Sequence, residues 1–344
     1  MPVTDLFHDA IESTRRGQDL DADQTETLID AMLRGEATDE SVSKLLLALR
    51  GKGEAVSELV GAATAMRRHM TRIPHSHDVL LDTCGTGGSG SGTFNISTAV
   101  ALLTSACGVP VAKHGNRRAT SHSGSADVLE CLGVPITAEP DAVADQLSRI
   151  GICFCFAAKL HPAMRHVVAI RRALGVPTLF NLLGPLCNPA GATHQVLGTA
   201  SADAQVKIAQ ALRHLATRRS FVLHAEDGQD EVSLDGATHC YEVVRGTEEL
   251  PGEPIEHIWR AADFGVPPAS AASLVASDPT HSARIIQDLF AGQPGPPRDV
   301  VLAGTAAALL LVGRVDDLRS GVDVAADAID RGVAMNQLER LRSE

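Results

Sequence analysis

Aromatic residues are scarce in this chain: 8 Phe, 1 Tyr and 1 Trp among 344 residues, 3% in all. Surfaces for single-stranded nucleic acid stack bases on aromatic rings within a cationic groove. That poverty, together with a formal net charge of −12, argues against a nucleic-acid partner. Long apolar stretches are missing too. The longest, Val300 to Gly313, is too short and too rich in Gly and Ala to span a bilayer. The N-terminal stretch MPVTDLFHDAIESTRRG lacks the apolar core of a signal peptide, so neither export nor a membrane partner is expected. The seven cysteines are odd in number and none stands in a CxxC pair, which fits buried free thiols and a cytoplasmic location. One further absence is local: between Asp82 and Asp127 there is no acidic residue, although the whole chain is acidic.

That acid-free stretch is also where the glycines gather. Gly85, Gly87, Gly88, Gly90 and Gly92 precede Asn95, Ile96, Ser97 and Thr98, which open an apolar run from Ala99 to Ala106 with the look of a buried helix. A glycine-rich turn feeding a helix N-terminus presents free N–H groups and the positive end of the helix dipole, a combination suited to phosphate. Lys113, His114, Arg117, Arg118 and His122 add basic side chains. Gly85-Thr86-Gly87-Gly88-Ser89-Gly90 satisfies G-x-G-x-x-G, but the acidic residue that a dinucleotide fold needs some way downstream is missing. The Gly-Lys-Ser/Thr of a P-loop is missing as well. A site for a polyanion other than a dinucleotide is the reading that remains.

A chain of this length exceeds what one core usually supports, so two domains are expected. Residues 1 to about 72 read as helical: Asp21 and Gln24 resemble a capping box, and Leu28, Ile29, Met32 and Leu33 form an apolar stripe ended by Gly35. Val42, Leu45, Leu46 and Leu49 repeat the stripe, and a third helix from Ala55 to His69 follows. Such short amphipathic helices need a surface to cover, and a homodimer partner is the expected one. From residue 73 to 344 the grammar changes. Apolar runs at Val79–Leu81, Val109–Ala112, Gly151–Phe156, Val196–Leu197 and Ser220–Leu223 alternate with helical stretches near 95–106, 124–132, 141–149, 163–174 and 203–216. This alternation predicts an α/β domain, a mostly parallel sheet with helices on both faces and ligands at the C-terminal ends of its strands. Cys153 and Cys155 alternate with Phe154 and Phe156, as strand residues with two faces would.

Four motifs, Gly85–Gly88, Thr93–Thr98, Lys113–Arg117 and Ser123–Asp127, resemble the signature of the anthranilate phosphoribosyltransferases. His161–Arg165 through Arg171, Phe180–Pro189, and His224 with Asp227–Glu231 extend the resemblance in the same order, over roughly residues 10 to 315. The resemblance implies a small helical domain, with a mid-chain contribution near 163–190, hinged to a large α/β domain. It implies transfer of the phosphoribosyl group of 5-phosphoribosyl 1-diphosphate to the amine of anthranilate, in tryptophan biosynthesis. Donor contacts carried over are Gly85, Gly88, Ser89, Thr93, Asn95, Ile96, Ser97, Thr98 and Lys113 to Arg118 (His114, Gly115, Asn116 and Arg117 between them), then Ala119, Thr120, Ser121 and Ser125. Arg171 is the implied partner of the anthranilate carboxylate, with Gly85, Asn116, His114 and the Gly184-Pro185 turn nearby. Ser97, Asp230 and Glu231 are the implied ligands of Mg²⁺, two ions in all. No general base is assigned, because the aromatic amine carries a free lone pair at neutral pH.

Two departures from the family pattern stand out: Ser89 where Asp is common, and Ala303-Gly304 where an Asn-Ala pair is typical. The first removes a negative charge near the leaving group and bears on the metal requirement. His161, ahead of Pro162, reads as a candidate helix cap, and His75 and His77 as exposed loop residues. Two alternatives stay open at this point, a pyrimidine nucleoside phosphorylase with the same architecture and a non-catalytic paralogue that binds nucleic acid or protein. Lys113–Asn116 and Gly184–Leu186 favour the transferase over the first. Retention of Arg171, Asp230 and Glu231 speaks against the second.

Overall fold

The computed structural model describes residues 2–88, 90–118, 123–246 and 252–344. Its first four helices are α1 (Val3–Arg15), α2 (Ala22–Leu33), α3 (Asp39–Lys52) and α4 (Val56–His69). The capping box is present: the Asp21 carboxylate accepts the Gln24 N–H at 2.7 Å, and the Asp21 N–H donates to Gln24 Oε1 at 3.1 Å. Leu28, Ile29, Met32, Leu45, Leu46, Leu49 and Leu59 are all buried, so the stripes read from the sequence are core stripes. At the start of α4 the buried Glu58 accepts the N–H groups of Leu20 (3.0 Å) and Ala55 (2.7 Å) and the Lys52 ammonium (3.2 Å), so its charge is fully engaged.

The chain then runs through β1 (Leu81–Gly85), α5 (Ile96–Ala106), β2 (Val111–Gly115), α6 (Ser125–Cys131), α7 (Pro140–Ile150), β3 (Ile152–Phe156) and α8 (Ala157–Leu160). After α9 (Arg165–Leu174) and α10 (Phe180–Leu183) come β4 (His194–Gly198), α11 (Ala202–Leu212), β5 (Arg219–Ala225), β6 (Thr238–Val244) and β7 (Ile255–Trp259). Five helices close the chain: α12 (Ala261–Phe264), α13 (Pro279–Phe290), α14 (Pro296–Leu311), α15 (Leu318–Asp330) and α16 (Val333–Ser343). The seven strands form one sheet in the order β3-β2-β1-β4-β5-β6-β7. β1 to β5 are parallel, and β6 and β7 are added antiparallel at one edge.

The expected α/β class and mostly parallel sheet are therefore observed, with corrections of detail. β1 and β2 begin two residues later than expected and run on through the polar Asp82-Thr83 and Lys113-His114 to Gly85 and Gly115. These strands are buried on both faces, so no polar–apolar alternation marks their ends. β6 and β7 lie outside the strands read from the sequence. Leu81, Phe94, Val100, Leu103 and Phe154 share one core with α13 to α16, while Cys84, Leu197, Ile208 and Val222 share the other with α1 to α4. Val167, Ile170, Phe180 and Leu183 pack into that second core. On β3, Cys153 and Cys155 face a small third cluster and Phe154 faces the first, as the alternation required.

Candidate functional site

In the strand order 3-2-1-4-5 the direction of winding reverses between β1 and β4, and such a switch point leaves a crevice at the carboxyl ends of the two strands. Gly85 ends β1, Gly198 ends β4, and the two are register partners. The loop carrying Asp230 and Glu231, which follows β5, folds over this point. A Cβ on Gly85 would lie 2.6 Å from Asp230 Oδ2, and one on Gly198 would overlap the Asp230 carbonyl. Only glycine lets the carboxylate loop come this close. Gly87 and Gly88, at φ of 68° and 84°, turn the chain away from β1 in the left-handed region.

The helix N-terminus behaves differently from the open anion trap expected. Ile96 N–H donates to Phe94 O at 2.7 Å, Thr98 N–H to Asn95 O at 3.1 Å, and Ser97 N–H to Glu231 Oε1 at 3.0 Å. A carboxylate of the chain itself thus stands at the positive end of α5, the place where the dipole favours an anion. Ile96 is buried in the core, and the Thr98 hydroxyl is buried without a hydrogen-bond partner among the described residues. Lys113 is also buried; its ammonium donates to Thr83 O and, at 3.3 Å, to Ser97 Oγ. Next to it the buried Asp82 accepts the His114 N–H at 3.0 Å, and burial raises its pKa against the pull of Lys113.

The second loop of the site hangs from β2. Ser125 Oγ donates to Asn116 O at 3.3 Å, and Asn95 Oδ1 accepts the Ser123 hydroxyl at 2.7 Å, joining this loop to the glycine-rich one. Asn116 is exposed and Gly115 half-buried. Thr93 pairs with Val275 through an isolated bridge. Arg117 is committed elsewhere: its guanidinium reaches Glu130 at 2.5 and 2.9 Å and Asp127 at 3.2 Å. Arg118 is exposed, and its backbone N–H donates to Asp127 Oδ2 at 2.9 Å. Ser89, Ala119, Thr120, Ser121 and His122 lie outside the described residues.

A chain of contacts leads from this region to Arg171. His114 Nδ1–H donates to the Gly184 carbonyl at 3.1 Å, which leaves Nε2 as the acceptor for His161 Nε2–H at 3.2 Å. Burial pushes both imidazoles down, His114 to about 4 and His161 to about 3, with Lys113 and His114 respectively adding to the effect. His161 therefore does not cap the following helix; it is a buried neutral partner of His114. The Gly184–Leu186 turn is tied to β4 and to α4, through Gln195 Nε2–H to Pro185 O at 2.7 Å and Arg67 Nε–H to Leu186 O at 2.7 Å. Arg171 is half-buried on α9, donates to Asn181 Oδ1 at 3.2 Å and stands 5.4 Å from the Phe180 ring centre. Its neighbour Arg172 is exposed. His75 and His77 sit half-buried with stacked rings, and His75 Nε2–H donates to Ala190 O at 2.8 Å.

Residues 8–70 match the glycosyl transferase family helical bundle domain, and residues 77–335 match the glycosyl transferase family a/b domain. An anthranilate phosphoribosyltransferase of Rhodopirellula baltica is 68% identical over 335 residues, 97% of this chain and 96% of that one. The chain belongs to the anthranilate phosphoribosyltransferase family. The crystal structure of the anthranilate phosphoribosyltransferase of Thermus thermophilus superposes with a TM-score of 0.89 at 37% identity, covering 97% of this chain and 98% of that one. The Saccharomyces cerevisiae enzyme in complex with PRPP and Mg superposes with a TM-score of 0.86 at 27% identity, covering 94% and 93%.

The donor set fits a hard divalent cation of the kind such a transferase uses. Glu231 is half-buried, and its pKa is pushed up to about 8 by desolvation and then by the adjacent Asp230, with Lys113 opposing. Two adjacent, half-buried carboxylates of this kind are relieved by a cation bound through oxygen. Among the described residues no group of three or more His, Cys, Asp or Glu side chains is gathered around one point. Asp230, Glu231 and the Ser97 hydroxyl are the hard oxygen donors present at this point. The sequence reading used Asp82 only as a boundary and Asn181 only as a motif letter. Their partners, His114 N–H and the Arg171 guanidinium, are far away along the chain, so spacing could not pair them.

Proposed function

We propose that the chain transfers the phosphoribosyl group of 5-phosphoribosyl 1-diphosphate to the amine of anthranilate at the carboxyl ends of β1 and β4. The observation that carries this reading is the contact between Gly85 and the Asp230 carboxylate, which joins a glycine-rich phosphate loop to a carboxylate pair at the switch point of the sheet. Gly85, Gly88, Thr93, Asn95, Ser97, Thr98, Lys113, Asn116 and Ser125 surround the donor, while Arg117 braces its loop through Glu130. Ser97, Asp230 and Glu231 would hold Mg²⁺, two ions, which would supply positive charge beside the departing diphosphate. Backbone N–H groups and the Lys113 ammonium, fixed before the donor arrives, favour the negative charge that develops on the leaving group. Arg171, oriented by Asn181 and Phe180, pairs with the anthranilate carboxylate. The amine attacks as it stands, and its proton leaves only afterwards. The PRPP and Mg bound by the yeast relative support the donor and metal assignments.

The same reading divides the chain into a helical domain at 1–72, supplemented near 163–190, and a catalytic domain at 73–344. The shared core of α1 to α4 with Val167, Ile170, Phe180 and Leu183 supports the supplement. Homodimerisation through the helical domain is supported by Leu47 on α3 and Val168 on α9, 46% and 42% exposed on two helices that pack together. Seven free cysteines are in keeping with the reducing cytoplasm. The deciding assay follows anthranilate fluorescence on addition of the phosphoribosyl donor and Mg²⁺. A loss that requires all three components is expected. No loss, together with phosphorolysis of uridine or thymidine by free phosphate, would replace the transferase with a nucleoside phosphorylase.

A further inference from the structure

Ser282 is fully buried on α13, a helix whose other buried side chains include Ala283, Ile286, Leu289 and Phe290. A hydroxyl in such surroundings is costly unless bonded. Here it bonds in both directions to one residue 187 positions away: Asn95 N–H donates to Ser282 Oγ at 2.9 Å, and Ser282 Oγ–H donates to Asn95 Oδ1 at 2.9 Å. Asn95 is the cap of α5 and makes no side-chain bond to its own helix. Its side-chain amide is instead oriented from outside, by Ser282 and by the Ser123 hydroxyl at 2.7 Å. Just upstream the same C-terminal segment braces the glycine-rich loop through its backbone. Phe94 N–H donates to Leu274 O at 2.8 Å, Ala276 N–H donates to Gly92 O at 2.9 Å, and Thr93 and Val275 form an antiparallel bridge.

We infer that Ser282 is a positioning residue of the phosphoribosyl-donor site: it holds the side-chain amide of Asn95 in the orientation that meets the donor. With Oδ1 engaged by two hydroxyls, the amide NH₂ is turned towards the second loop, where Nδ2 lies 3.4 Å from Ser123 O. A long and therefore weak contact of that kind is readily exchanged for a ligand oxygen. Removal of the Ser282 hydroxyl leaves the Asn95 N–H unsatisfied and the amide free to rotate. The inference rests on the reading of Asn95 as a donor contact.

The test is steady-state kinetics of the whole enzyme with anthranilate, 5-phosphoribosyl 1-diphosphate and Mg²⁺. It compares wild type, Ser282→Ala, Ser282→Thr, Asn95→Ala and the Asn95→Ala/Ser282→Ala double variant, each with its melting temperature. Ser282→Ala is expected to raise the donor KM about tenfold and leave the anthranilate KM within about twofold. The double variant is expected to match Asn95→Ala, because Ser282 acts only through Asn95. Ser282→Thr keeps the hydroxyl and adds a methyl to a packed site, so it lowers the melting temperature while keeping the donor KM near wild type. A donor KM unchanged in Ser282→Ala but raised in Asn95→Ala would overturn the inference alone. So would equal donor KM losses in the Ala and Thr variants. An unchanged donor KM in Asn95→Ala would remove the donor-contact reading itself, and the inference with it.

Discussion

Arg171 differs from the other arginines of its helix, the exposed Arg165 and Arg172, in being half-buried, with Asn181 as acceptor and the Phe180 ring alongside. Burial lowers its pKa, the cost of holding a cation away from water, and a carboxylate ligand would offset that cost. Arg171→Ala is therefore expected to raise the anthranilate KM by about one to two decades, a charge-assisted pair being worth roughly 1.5–3 kcal/mol, with the donor KM nearly unchanged. Equal losses for both substrates would reject the assignment. The His114–His161 pair makes a second prediction. Both imidazoles have folded pKa values, about 4 and about 3, below the ordinary 6.5, so they stay neutral while the unfolded chain takes up protons. Their contribution to stability is complete above pH 6.5 and is lost as the pH falls from 6.5 towards 4. His161→Gln removes one of the two sites and should make the fall of unfolding free energy between pH 6.5 and 4.5 shallower, by up to about 1.4 kcal/mol per pH unit, as read by denaturant unfolding at each pH. An acid limb as steep as wild type would show that His161 titrates freely. At this scale the sequence revealed residue types and motif order. It could not reveal that Arg117 is spent on Glu130, or that His161 faces His114 across 47 residues, because those pairings exist only after the strands are in register.

Among the elements, the glycine that closes β4 carries the sharpest constraint. A Cβ on Gly198 would overlap the Asp230 backbone, and backbone cannot swing aside as a flexible side chain can. Gly198→Ala should displace the Asp230–Glu231 loop and lower turnover by about a hundredfold, the order expected when a catalytic group moves by about 1 Å. Turnover and melting temperature measured on the same sample would check this, and near-wild-type turnover would show that the loop has slack. Gly198 follows a short apolar run of the sequence, Val196-Leu197, with nothing to indicate that a loop 32 residues later would press on it. The helices α2 and α3 were legible because one face of each is apolar and each begins at a side-chain cap, Asp21 and Thr38. The edge strands β6 and β7 were not. Ile255 and Ile258 are exposed on β7, so its polarity pattern does not describe a half-buried strand.

For the whole molecule, the α/β class followed from the alternation of apolar runs with helices, and the order of strands did not. Placing β1 between β2 and β4 depends on contacts between segments more than 100 residues apart. That order creates the switch point where the phosphate loop and the carboxylate pair meet. Leu47 and Val168 are exposed on two packed helices, and the proposed homodimer interface is tested through them. Light scattering at micromolar concentration should report about twice the 36.1 kDa chain mass, and Leu47→Glu with Val168→Glu should return it to one chain. A single-chain mass for the unaltered protein would leave those side chains without a partner copy. The most direct test of the central claim is a crystal structure determined with 5-phosphoribosyl 1-diphosphate and Mg²⁺. The account predicts diphosphate against the Gly85–Gly88 loop, with metal on Asp230 and Glu231. Diphosphate bound away from that loop, or metal bound without either carboxylate, would contradict it.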